Sequence, residues 1–153
     1  MPDTEIDPAS DLEVGRFWRQ LVQAWAADSG LHCVADRDSG SLSVPFDLPD
    51  TDQPVTARFM ATAELLVAFM TDGHVLKPDQ LAVAAAASNA WNTEQLIPML
   101  SVWDVRGPSP CLAGVCVLPL SCRMSQRDFA ALGATWADHA RQMFTRCHRV
   151  FGL

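Results

Sequence analysis

The sequence predicts an α+β fold: helices packed on an antiparallel or mixed sheet, in the order α-β-β-β-α-β-β-α. Three observations predict it. Apolar residues recur at helical spacing near the start and again over the last stretch of the chain. Between them lie short apolar runs, broken by turn clusters such as Asp38-Ser39-Gly40 and Asp72-Gly73. One alanine-rich segment after Pro78 divides these runs into two groups. A chain of 153 residues with 49% hydrophobic and 19% charged residues has material for one core, which excludes wholesale disorder.

The elements follow in order. Residues 1–10, with two prolines, read as a flexible acidic tail, and 11–153 as a single domain. Asp11 is placed to cap a helix that runs to about Asp28. Val14, Trp18, Leu21, Val22 and Trp25 form its apolar stripe, and Gly30 stops it. Strands are expected at 31–37 and 42–48, with Pro45 arguing for an edge position or a bulge. An acidic loop, 49–54, leads to strands at 55–61 and 64–70. Leu65–Met70 has no polar alternation and reads as buried on both faces. The link at 61–63 shows no turn signal.

Pro78 and Asp79 suit the first turn of a central helix reaching about Ala90. Leu81, Ala82, Ala85, Ala86 and Asn89 share one side of it. Asn89 and Asn92 read as terminators, because asparagine tolerates the left-handed region. Strands at 96–105 and 111–120 form a hairpin across 106–110. The second of these is apolar on both faces, so something must cover the face that the helices leave. Ser125, with Asp128 at the third position, caps a long C-terminal helix carrying Phe129, Leu132, Trp136, Ala140, Met143 and Cys147 at helical spacing.

The net charge is −7 and unevenly placed. Residues 1–52 hold eleven acids and three arginines, whereas 123–153 hold two acids and five arginines. This is either a solvated surface or an attraction, between the two ends or between two copies. The acidity disfavours nucleic acid as a partner. No apolar stretch reaches the length of a membrane span and the N-terminus lacks a signal peptide, so the expectation is a cytoplasmic protein with no membrane partner.

Chemistry is sparse. There is no glycine-rich phosphate loop and no nucleophile elbow. The four histidines lack partners at ligand spacing, and Cys147 and His148 point apart on a helix. The five cysteines, none in a C-x-x-C pair, read as reduced, buried hydrophobes, with Cys122 the best placed for thiol chemistry. No catalytic residue, metal or cofactor is assigned. Asp104, ending an apolar strand, reads as a turn former or a ligand contact. Trp91, between Asn89 and Asn92, reads as an anchor whose indole finds a carbonyl, or as a peptide-binding aromatic. Asn89, Trp91, Asn92 and Asp104 are the candidate binding residues.

Asn89-Ala90-Trp91-Asn92, then Pro98, then Asp104-Val105-Arg106-Gly107, a hairpin return and a long last helix together resemble the bacterial YbjN domain family. The resemblance spans roughly 31–151 and is strongest over 89–107. Met99 stands where that family often carries lysine. Its members are labelled as candidate sensory-transduction regulators, and the family is similar in fold to class I type III secretion chaperones. The resemblance implies a chaperone-like fold and a homodimer that binds a protein or peptide client without catalysis. A dimer mate would also cover the doubly apolar strand, with Met99, Trp103, Val115 and Val117 as the expected interface. The alternative is a small-ligand sensor or enzyme with a pocket near Trp91, Asn92 and Asp104.

Overall fold

The computed structural model describes residues 6–153. Half of the expected tail, residues 1–5, lies outside the described residues. The chain runs through β1 (Leu12–Glu13), α1 (Val14–Asp28), β2 (Val34–Ala35), β3 (Leu42–Phe46), β4 (Val55–Ala61) and β5 (Leu65–Thr71). A short 3-10 turn at Pro78–Gln80 then leads into α2 (Leu81–Glu94). β6 (Met99–Trp103), β7 (Cys111–Pro119), β8 (Arg123–Met124) and α3 (Gln126–Phe151) complete it. The expected α+β class holds. Six strands form one antiparallel sheet in the order β2-β3-β4-β5-β7-β6, and β1 pairs with β8 apart from it.

Strand alternation gives the sheet two unlike faces. Val44, Ala57, Met70, Gly114 and Leu100 stand in one row across five strands. The side chains in that row are all buried, under the helices. The next row, Ser43, Arg58, Phe69, Val115 and Met99, points the other way. Gly114 has no side chain because α3 comes close: a Cβ there would stand 2.6 Å from the Met143 Cε.

The N-terminal stripe behaves as its spacing predicts, with Val14, Trp18, Leu21, Val22 and Trp25 all buried. Trp25 meets Phe59 edge to face at 5.8 Å between centroids. Its other side lies on Gly133 of α3, where a Cβ would come within 2.8 Å of the indole. Ser125 caps α3 as expected, its hydroxyl accepting from the Asp128 N–H at 3.0 Å.

Several local expectations are corrected. Asp11 does not cap α1: its carboxylate takes the Arg123 guanidinium at 3.0 Å, and Glu13 occupies the cap position. The strand expected over 31–37 shrinks to Val34–Ala35, because Asp36 turns the chain by accepting from the Asp38 N–H and the Ser39 hydroxyl. Pro45 does lie where an edge is open, since β2 covers β3 only as far as Ser43. The featureless link before β5 is built by Thr62, whose hydroxyl accepts from the Leu65 N–H at 3.0 Å. α2 runs through both Asn89 and Asn92, and its buried side is Ala84, Ala87, Ser88 and Trp91 rather than the side holding Ala82, Ala85 and Asn89. The large Trp91 side chain sets that rotation. β5 is buried on one face only: Leu66, Ala68 and Met70 are covered, while Leu65, Val67 and Phe69 are partly open.

Two ion pairs join the charged ends within the chain, Arg149 with Asp50 and Arg123 with Asp11, while Arg146 pairs with Glu94 at the end of α2 at 2.6 Å. The Arg146 guanidinium, hydrogen-bonded to Glu94, holds that carboxyl below its ordinary range. These pairs are exposed, so each orients more than it stabilises.

The approach of α1 to α3 gives a direct test. Gly133→Val should lower stability by about 3 kcal/mol, because the rigid indole of Trp25 cannot yield to the new methyl groups. Urea unfolding followed by tryptophan fluorescence measures this, and an unchanged midpoint would mean that the helices have room to spare.

Candidate functional site

The residues singled out around β6 are held by its two ends. At the start of the strand, Trp91 is 4% exposed and its indole N–H donates to the Pro98 carbonyl at 2.8 Å. The neighbouring Asn92 reaches the strand itself. Its amide donates to the Leu100 carbonyl at 2.8 Å and its carbonyl accepts from the Leu100 N–H at 2.9 Å. The backbone carbonyl of Asn89 accepts from the Thr93 hydroxyl at 2.7 Å, and its side chain is exposed.

At the far end of β6, Asp104 stands at φ +56°. Its carbonyl accepts from the Gly107 N–H at 2.9 Å and its carboxylate from the Ser109 N–H at 3.1 Å. A Cβ at position 107 would fall 1.7 Å from the Asp104 Oδ1, so this turn is built for glycine. Asn92 and Asp104 are therefore not brought together. Each satisfies backbone groups of the chain itself, at opposite ends of one strand.

Met99, Trp103, Val115 and Val117 all stand on the face of the sheet away from the helices. Met99 and Val115 are register partners, and Val117 is the partner of Val67. Met99, Trp103 and Val117 are 53%, 46% and 50% exposed, high values for such large apolar side chains. Trp103 packs edge to face on Phe69, 4.9 Å between ring centroids. Phe69 belongs with this group, although its run, with no polar residue to mark the open side, predicts a strand buried on both faces.

A second polar site carries no signal in the sequence, because its parts lie 76 residues apart. Asp72, at the end of β5, is buried. Its carboxylate accepts from the His74 N–H at 3.0 Å and meets the His148 Nε2 at 2.7 Å. A cavity of about 260 Å³ opens beside them, lined also by Thr51, Gln53 and Val75. The contact ties the last turns of α3 to the end of β5. Among the described residues, no three His, Cys, Asp or Glu side chains gather as a metal site would require.

The cysteines are separate, unpaired thiols. Burial pushes Cys116 up to about 12. Burial, helped by the nearby Asp72 charge, pushes Cys147 up to about 12 as well. Cys33 and Cys111 are also raised by burial. Among the described residues, no helix is long and apolar enough to cross a membrane.

The class that this geometry defines is an α+β layer: three helices on one face of a six-stranded antiparallel sheet, the other face left without a helix and uncharged over β5, β6 and β7. Among solved structures it is similar to YbjN from E. coli, described as a candidate transcription regulator, with a TM-score of 0.67 and 14% identity over 85% of this chain and 90% of that one. At that identity the likeness is one of fold, and the fold is YbjN-like. No family model and no curated protein matches the sequence.

Two measurements follow from this site. Trp91→Phe leaves the Pro98 carbonyl without its donor and should cost about 2 kcal/mol, against roughly 3–5 kcal/mol for Trp91→Ala. Equal losses for the two variants would mean that the ring kept by phenylalanine contributes nothing beyond the hydrogen bond. Separately, burial keeps Cys116 and Cys147 protonated and out of reach at pH 8. A thiol reagent should therefore spare both in the folded protein and label them in urea. Rapid labelling of either in the folded state would contradict the burial.

Proposed function

We propose that this chain is a non-enzymatic protein-binding module, chaperone-like or regulatory. On this reading it acts in the cytoplasm as a homodimer and holds a segment of a partner protein. One observation carries the reading: β5, β6 and β7 contain no charged residue, yet one face of these three strands is left without a helix. Large apolar side chains at a protein surface mark a place where another protein sits.

A second copy is the occupant that this face fits. The face is a strand surface, and two such surfaces pack about 10 Å apart as sheets do within a sandwich. Three strands are about 15 Å across and the longest is about 30 Å long, which is on the order of 450 Å² in plan for each copy. With side-chain relief, two copies bury about 1,000 Å², the lower end for a specific interface. The Trp103–Phe69 pair, at the end of β6, supplies the aromatic anchor that such interfaces use. Leu96, 94% exposed, and Val83 of α2 lie off this face and stay available to a client segment in the dimer. The similarity to a protein described as a candidate regulator agrees with a binding role.

Sedimentation velocity at about 50 μM tests the reading. The unsubstituted protein should sediment as a dimer, and Met99→Lys/Val117→Lys as a monomer with unchanged circular dichroism, since both side chains are already half exposed. A monomeric unsubstituted protein, or a double variant that remains dimeric, would overturn the assignment of this face.

A further inference from the structure

We infer that Asn92 determines how this chain associates, by closing the β6 edge to strand pairing. β6 ends the sheet, with β7 on one side only. An end strand presents unpaired N–H and C=O groups to any extended chain that approaches it. In an antiparallel ladder, alternate residues turn both groups outwards. Leu100 does so, and both its groups are met by the Asn92 carboxamide, at 2.9 Å and 2.8 Å. That two-way exchange is what a residue of a neighbouring strand would make. Here one side chain of α2 supplies it.

By the same alternation, Val102 is the other residue of β6 that faces outwards. With Leu100 occupied, one residue remains, and a single pair does not make a ladder. Trp91 keeps the lock in place: its bond to the Pro98 carbonyl, at 2.8 Å, holds the last turn of α2 against the start of the strand. The opposite border of the sheet is blunted by other means. There β2 covers β3 only to Ser43, and Pro45 beyond it has no N–H to offer. Association is thereby directed away from the edges, whatever occupies the open face.

The inference is independent of the proposed dimer and is tested with the face disabled. In a Val117→Lys background, whose charge lies on β7 and not on the edge strand, Asn92→Ala should speed amide exchange at Leu100 by about tenfold or more. It should also produce species larger than the parent in sedimentation, in amounts that grow with concentration. Asn92→Asp keeps an acceptor for the Leu100 N–H and places a charge at the edge. It should leave Leu100 protected and the sample the size of the parent. The inference is overturned if Asn92→Ala leaves Leu100 exchange unchanged, or if it opens Leu100 and the protein stays the size of the parent. A further readout needs no variant at position 92: in the parent, Leu100 should exchange more slowly than Val102, and equal rates would also overturn it.

Discussion

Trp25 joins the two layers on which everything else is built. One side of its ring meets Phe59 on the sheet, and the other lies flush on Gly133 of the last helix. The close crossing at that glycine lets α1 and α3 sit side by side over the sheet. With α2 at the border, the three helices cover the inner row from Val44 to Leu100. Helices that bury one face so fully have nothing left with which to cover the other. The open apolar surface is thus a result of how the core is assembled, rather than a separate decoration.

Much of this was legible in the sequence, because helical spacing survives wherever one face of a helix is buried and the other is wet. Val14 through Trp25 and Phe129 through Cys147 show it plainly. The strands at 55–61 and 111–120 were legible for a different reason: a turn-forming segment precedes each of them, 49–54 and 106–110. Where the reading failed, the deciding contact was distant. Asp11 looks like a helix cap until Arg123, far along the chain, takes its carboxylate. The first two turns of α2, Leu81 to Ala87, hold no polar residue to mark their wet side, so the rotation that buries Ala84 and Ala87 was hidden there. Phe69 gave no sign of its exposure, since an open apolar face and a buried one are written with the same residues.

The candidate site was half legible. The side chains of Trp91, Asn92 and Asp104 are engaged in specific contacts, as their types suggested, but with the backbone of β6 and its turn instead of with one another. Sequence proximity to one strand is not convergence on one point. The four apolar residues on β6 and β7 do converge, because register on a sheet follows from the period of two and from the hairpin. Asp72 and His148 could not have been paired in advance, since no local pattern connects the end of a strand to the last turns of a helix.

The partnership of α1 with α3 also bears on how the chain comes to be folded. α1 is synthesised well before α3, and β1 must wait for β8, about 110 residues downstream. Loop closure over such a separation is slow and unrewarded until both ends exist. The stripe from Val14 to Trp25 therefore leaves the ribosome with its apolar side unmatched, and remains so while the sheet is still being made. A nascent chain of this kind is exposed to aggregation until α3 arrives, and truncation within α3 would leave it in that state permanently.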